Sequence, residues 1–517
     1  MEKLEKLKEL LSARNFALFV LIVKMFQIPL LWIWKPTIIL FSIFPYICVA
    51  WFLIILSIDF FGERNLIKNT GIFWIILFLI SYVITSCLNY KYNFADNIQL
   101  VFWMAIQYIV IFGCERGRDF SYNKRTIELA AKVFSFITIA MMLISLLFFF
   151  IGIGGEVMVA GNAMRFGLRN NRLFGVFASP NYASLFSVIT IVALFYMFSN
   201  AKRVLSKAAY ILLMLLAYFY LTLTVSNTGK IAFLIAFTLL CFGVFYSRIL
   251  AKFKRKILLS ILSSVIIAVI AVIPFSQIQN TAASAAKITN STNIAQHLKT
   301  VTEKTIGSIS ANLNSDNTDT NSNVISFNEI DEEEISFDRN DFSSELSLGR
   351  RLTHDRLPIW QDAIRLLLPR NPAFGVSALG YMSRINEEYP ESFISQYNKY
   401  SMHNDFVTLL ACCGIVGAAI MLVFMFIIIK KIFRYLIDNK DSIYELKKVW
   451  YPLIVIIVCA ASMIYSDAVL VNTTIESTAF WICLGYIVSI VDPNPKSNIF
   501  LRIIDNILLK FQHNKGK

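Results

Sequence analysis

Apolar runs of about twenty residues recur along the whole of this chain, and they confine it to one kind of environment. They fall near 15–34, 36–58, 70–88, 98–114, 130–154, 181–199, 208–226, 229–247, 256–274, 405–430, 448–466 and 473–491. A bilayer core of ~30 Å needs about 20 helical residues to cross it. Backbone amides there have no water to bond, so each crossing segment must close its own hydrogen bonds as a helix. The expected fold is therefore all-α, a polytopic membrane protein with about 12 transmembrane helices. Composition agrees, since 57% of the 517 residues are hydrophobic against about 45–50% in soluble domains. The 44 Phe and 21 Tyr suit lipid-facing and headgroup-depth surfaces.

Charge sets the orientation. With the N-terminus inside, the short cytoplasmic segments carry 30 Lys and Arg and the short exterior ones 6, which places both termini in the cytoplasm by the positive-inside rule. The same bias accounts for the net charge of +14, and no nucleic-acid partner is expected. One large exterior loop, 275–404, then lies between spans 9 and 10. It separates an N-terminal bundle of about nine spans (1–274) from C-terminal spans (405–491) and a cytoplasmic amphipathic tail (492–517). Within the loop, 277–345 opens with a stretch rich in Ser, Thr, Asn and Ala to about Asn323, continues with an acidic run at 329–334 and is expected to be disordered. From 350 to 403 helical apolar spacing returns, and this part is expected to be ordered and functional. The first residues, with Leu4, Leu7 and Leu11, read as an interfacial helix and not a cleaved leader. The eight cysteines all lie in or beside apolar runs, as buried small apolar residues.

Exterior arginines run against the orientation bias and so call for a reason. Arg165, Arg169 and Arg172 occupy the 155–178 connection, and Arg350, Arg351, Arg356, Arg365, Arg370 and Arg384 the large loop. Guanidinium offers planar, paired donors suited to phosphate oxygens; the competing role is ion pairing with Asp355, Asp362 or Glu387. Arg172 leads into Ser179-Pro180-Asn181 at the start of a span. A capped helix N-terminus there favours an anion. His403-Asn404 stands at another helix entrance, where a neutral imidazole can accept a proton from a hydroxyl. His354, near Arg356, is a rival, whereas His297 and His513 fall in polar or tail segments. No G-x-x-x-x-G-K-[ST], H-E-x-x-H or Cys/His cluster occurs, so no cofactor or metal is expected. Ionisable residues in the spans are few, chiefly Lys24 and, at span ends, Asp59, Lys230, Asp467 and Glu476. That scarcity speaks against a proton-coupled transporter.

Together these residues resemble the O-antigen ligase and O-antigen polymerase family of bacterial surface-polysaccharide enzymes. The pattern is Arg172…Gly175…Pro180-Asn181, then Arg356-x3-Trp360, the turn Asn371-Pro372-x-Phe374-Gly375, and His403-Asn404 followed by Gly414-x-x-Gly417. One departure is Ser226-Asn227-Thr228-Gly229-Lys230, where the family often has Ser-Arg. The resemblance implies a metal-independent, inverting glycosyltransferase with its active site on the extracytoplasmic face of the bacterial cytoplasmic membrane. Its donor would be an undecaprenyl-diphosphate-linked glycan and its acceptor a glycan or lipid-glycan. Membrane lipids and other polysaccharide-assembly proteins would be its further partners. It implies that Arg172 and Arg356 steady the departing diphosphate and that His403 deprotonates the acceptor hydroxyl. Asn404, Arg169, Arg351, Asn181, Trp360 and Lys230 would contact substrate, Trp360 by stacking on sugar unless it packs in the core. Gly414 and Gly417 would let helices approach closely. A polymerase is the first expectation, a ligase the second, and a lipid-linked oligosaccharide flippase the non-enzymatic rival.

Overall fold

Each apolar run lies mainly on a helix in the computed structural model. It describes residues 9–33, 36–62, 64–159, 162–169, 172–177, 179–249, 256–290, 292, 296–301, 304, 325–327, 356–396 and 401–493. The helices are α1 (Ala13–Ile33), α2 (Pro36–Phe61), α3 (Ile72–Leu88), α4 (Phe94–Ile111), α5 (Phe120–Phe150), α6 (Pro180–Asn200), α7 (Val204–Leu223) and α8 (Asn227–Val244). They continue as α9 (Lys256–Val272), α10 (Phe275–Asn290), α11 (Arg356–Asp362), α12 (Tyr381–Glu388), α13 (Asp405–Asp438), α14 (Ile443–Ser462) and α15 (Ile475–Val491). Among the described residues, eight helical segments are long and apolar enough to cross a membrane, while α3 and α15 are apolar but shorter.

Two expectations are corrected. The fold is mostly helical but not all-α: β1 (Gly154–Val159), β2 (Asn162–Arg169), β3 (Arg172–Gly175) and β4 (Ile325–Phe327) form an antiparallel sheet in the order β3-β2-β1-β4. Cross-strand pairing of opposite charges supports it, with Glu156 opposite Arg165 and an N–O distance of 2.9 Å. The second correction concerns the polar stretch after Pro274. Instead of being disordered, it opens as α10. Its Ala-rich sequence favours helix, and Phe275, Gln279, Ala282 and Ala286 form one buried stripe. Gln279 Nε2 donates to the Thr222 carbonyl (2.6 Å), and the Phe275 ring stands 5.5 Å from that of Tyr218. Residues 305–324 and 328–355, with Arg350, Arg351 and His354 among them, lie outside the described residues, as do the first eight residues and the tail from 494.

The chain divides into two compact units. The first comprises Met1–Val20, Ile47–Ile127 and Ser344–Lys517. Its core centres on Trp481 of α15, whose ring lies 4.6 Å from Tyr108, 5.6 Å from Phe112 and 5.9 Å from Phe424. Lipid is as apolar as these side chains, so close packing and ring geometry hold the helices together, not water exclusion. Such aromatic pairs contribute about 0.5–1.5 kcal/mol each. Gly485 makes the contact possible, because a Cβ there would sit 2.1 Å from the Phe112 carbonyl oxygen. The second unit comprises Leu21–Tyr46 and Glu128–Ser343. Its core gathers Phe177, Phe186 and Tyr220, with Phe177 5.8 Å from each of the other two rings.

Candidate functional site

In the first unit the site rests on a break in α13. Gly414 adopts φ 67°, ψ −177°, a conformation reserved for glycine. The turn 371–375 fills the gap with its own backbone. Ile415 N–H donates to the Pro372 carbonyl (2.8 Å) and Val416 N–H to that of Ala373 (3.0 Å). In return Val376 N–H donates to the Ala411 carbonyl and Ser377 N–H to that of Cys412, both at 3.1 Å. Gly375, at φ 75°, faces Gly414 so closely that a Cβ on it would lie 2.5 Å from the Gly414 nitrogen. Helix α3 clasps the turn from outside, Asn89 Nδ2 donating to the Gly375 carbonyl (3.0 Å) and Tyr82 Oη accepting from Ala378 N–H (2.9 Å). The Asn-Pro-x-Phe-Gly and Gly-x-x-Gly motifs are thus one interlocked element. Gly414 serves the helix break and not the helix–helix approach expected of it. Gly417 does face α3, where a Cβ would stand 3.7 Å from Phe78 and Ser81.

The imidazole stands just ahead of α13, whose first residue, Asp405, lies nine residues before the break. His403 sits at φ 51°. Asn404 Oδ1 caps the helix by accepting from Phe406 N–H (2.9 Å) and Val407 N–H (3.0 Å), while its Nδ2 donates to the Ile464 carbonyl (3.1 Å). Caps of this kind contribute about 1 kcal/mol. The buried Asp405 carboxylate accepts from Val469 and Leu470 N–H, each at 3.0 Å. The helix entrance is therefore bolted to the 463–471 connection between α14 and α15. From that connection Asp467 reaches back, with its Oδ1 accepting from Ser401 Oγ at 2.6 Å, and Ser401 Oγ lies 3.3 Å from His403 Nδ1. Tyr465, on the same connection, has the Arg356 guanidinium 5.6 Å over its ring. Trp360 Nε1 donates to the Met402 carbonyl (2.9 Å), so this side chain fastens the residue next to His403. His403, Asn404, Arg356 and Trp360 thus stand on one framework.

In the second unit Arg172 begins β3. Its Nε donates to the Thr224 carbonyl (3.2 Å) and its Nη2 to Asn181 Oδ1 (3.0 Å). Ser226 Oγ also donates to Asn181 Oδ1 (2.9 Å). Ser226 caps α8 by accepting from Gly229 N–H (3.0 Å), and Ser179 caps α6 by accepting from Asn181 N–H (3.2 Å). Two helix N-termini and a guanidinium therefore share the side chain of Asn181. Such ends carry partial positive charge. The helices approach this closely because residue 229 is glycine: a Cβ there would lie 2.4 Å from that of Ser184. Lys230 lies in the first turn of α8, its N–H donating to the Ser226 carbonyl (2.9 Å).

Other arginines of the 155–178 connection and the large loop take the salt-bridging role. Arg165 and Arg169 share Glu156, at 2.9 and 3.5 Å. Arg370 and Arg384 share Glu388, both at 3.0 Å. Burial pushes the Glu388 carboxyl up, but Arg384, Tyr92 and Arg370 outweigh it and hold the group below its usual range. Ser401, Asp405 and Asp467 went unrecognised in the sequence. Asp467 stood out only as an acidic residue at a span end; its link to Ser401 spans 66 positions. Among the described residues, no group of three or more His, Cys, Asp or Glu is arranged to hold a metal ion.

Eight helical segments long and apolar enough to cross a membrane point to an integral membrane protein, with a polar, hydrogen-bonded helix entrance at α13. Residues 209–422 match the family described as O-Antigen ligase. That match supports an O-antigen ligase and polymerase family assignment and, in the general sense, a membrane glycosyltransferase-like activity on lipid-linked glycans and acceptors. The matched segment contains Lys230, Arg356, Trp360, His403 and Asn404, whereas Arg169, Arg172 and Asn181 precede it. A search of curated proteins finds no match.

Proposed function

We propose that this protein transfers a glycan from undecaprenyl diphosphate to a sugar hydroxyl, with inversion and without a metal. The reaction takes place on the outer face of the bacterial cytoplasmic membrane, and both termini lie inside. The observation that carries the reading is the shared framework of His403 and Arg356 inside the family-matched segment. His403 takes the proton of the acceptor hydroxyl, and that oxygen attacks the anomeric carbon. The bond from that carbon to the diphosphate oxygen breaks, and the diphosphate leaves with the electron pair. Arg356 stabilises the charge that develops on it, a role fixed cations perform well because they need not reorganise; in its own unit Arg172 is a second anion-binding side chain. Asn181 and the Thr224 carbonyl hold Arg172 in place, Lys230 in the first turn of α8 is a further substrate contact, and Asn404 and Trp360 hold His403. Arg351 is a further anion-binding group, and so is Arg169, which shares Glu156 with Arg165.

Polymerisation of repeat units is the first assignment, and ligation to a lipid or other envelope acceptor is the second, favoured by the description of the matched family. Replacing His403 by Ala in the native strain, at verified protein levels, separates them. Single repeats delivered without polymer indicate a polymerase. Long chains stranded on the carrier indicate a ligase. Repeats trapped on the inner leaflet would overturn the enzymatic reading in favour of a flippase.

A further inference from the structure

We infer that Ser401 and Asp467 form a relay that fixes the tautomer of His403 and raises its basicity. The inference deepens the reading of His403 as the base of glycosyl transfer and rests on it for its catalytic meaning. The argument is a count of hydrogens. Ser401 Oγ has one hydrogen and two lone pairs. An ionised carboxylate only accepts, so the contact of 2.6 Å to Asp467 Oδ1 consumes the serine hydrogen. Two groups then face the oxygen's lone pairs: His403 N–H at 3.0 Å and His403 Nδ1 at 3.3 Å. With its hydrogen committed, Ser401 can only accept from the ring, so Nδ1 carries the proton. The basic lone pair is placed on Nε2. When Nε2 takes up a proton, the imidazolium charge is felt by Asp467 through the serine, which favours the charged ring.

The geometry is anchored on both sides. Asn472 Nδ2 donates to the Asp467 carbonyl (2.6 Å), and the Asp405 carboxylate holds the same connection through Val469 and Leu470. His403 is held at φ 51°, a conformation costly for a non-glycine residue; it brings the ring and the main-chain N–H onto the same serine oxygen. Other titratable groups within electrostatic reach of Asp467 are Asp405, Tyr381 and Cys412, and Arg356 lies over the adjacent Tyr465. Ser401 and Asp467 are positioning residues; His403 alone touches the reacting hydroxyl.

Nitrogen-15 NMR of histidine-labelled protein in lipid bilayers reads the relay without substrate. The His403 signals are assigned by their loss in His403→Gln. The wild type is expected to show Nδ1–H with unprotonated Nε2. In Asp467→Asn the serine still donates, so the tautomer should persist, but the imidazolium pKa is expected to drop by about 1. Ser401→Ala should mix the tautomers, and Ser401→Thr, which restores a hydroxyl, should recover the single form. If Asp467→Asn fails to fold, the Ser401→Ala and Ser401→Thr pair carries the test. A wild-type ring protonated on Nε2, or a tautomer unchanged in Ser401→Ala, overturns the relay. If the NMR result holds while His403→Ala leaves transfer intact, the catalytic reading fails and the relay stands as structure.

Discussion

Replacing Gly414 by Ala tests whether the broken helix is essential to the site. Two costs add. Alanine at φ 67°, ψ −177° occupies a region that costs on the order of 1–3 kcal/mol. Its methyl would also lie 2.4 Å from the Ala373 carbonyl oxygen, a backbone atom that cannot swing aside as a side chain does. Relief of that clash pushes the turn out of the gap and breaks the four backbone bonds to Pro372, Ala373, Ala411 and Cys412. At roughly 0.5–1.5 kcal/mol each, these contribute about 2–6 kcal/mol. The combined loss, ~3–9 kcal/mol, is comparable with the ~5–15 kcal/mol that holds a typical domain folded. Thermal unfolding in detergent is the assay. At about 2–4 °C per kcal/mol for a unit of this size, Tm should fall by at least about 6 °C. Ile415→Ala is the control: its side chain is 54% exposed, and a surface change there should shift stability by only about 0.5 kcal/mol. If Gly414→Ala melts alongside the control, the interlock does not hold the helix and the reasoning is wrong.

Three further expectations follow from other parts of the structure. Burial raises the carboxyl of Glu115, in the turn between α4 and α5, to about 8. Its folded pKa thus lies above the unfolded one, so the native state binds the extra proton; stability is untouched below about pH 4 and declines as pH rises toward 8 and beyond, by up to on the order of 5 kcal/mol. Melting curves from pH 5 to 9 should show that decline in the wild type and lose it in Glu115→Gln. Asn181→Ala removes the acceptor shared by Arg172 and Ser226 and should lower transfer about 10-fold or more while costing only about 1–3 kcal/mol of stability, as measured by polymer yield and melting. Arg172→Lys and Arg356→Lys should each cut turnover by about 10²-fold. Turnover of each single variant measured against the wild type is the check, and a variant with undiminished turnover refutes the role given to its arginine.

Hydropathy was enough to place helices on the apolar runs, because a lipid environment imposes length and apolarity on each segment by itself. The imidazole and the arginines stand out in the sequence for a related reason: polar residues at membrane boundaries are few and must be accounted for. What stayed hidden depends on distant partners. Gly414 read as a packing glycine because its true neighbour, the turn at 371–375, lies some forty positions upstream. The sheet escaped notice because β1 and β2 are short and rich in Gly and Arg, with the Glu156 pairing visible only once the register is known. In α10 the polar residues suggested coil, although Phe275, Gln279, Ala282 and Ala286 already held the spacing of one helical face. Asp467 was dismissed as an end-of-span charge, and nothing local marks Ser401 as its partner.

The interlock at Gly414 also constrains how the protein is made. The break lies nine residues into α13, about 14 Å along its axis. A helix entering the bilayer with that gap unfilled would present bare carbonyl and amide groups to hydrocarbon. Helix α13 therefore cannot mature as a self-sufficient rod that later drifts into place. Its completion waits for the upstream turn to thread in, so the turn at 371–375 and helix α13 must assemble together during biogenesis.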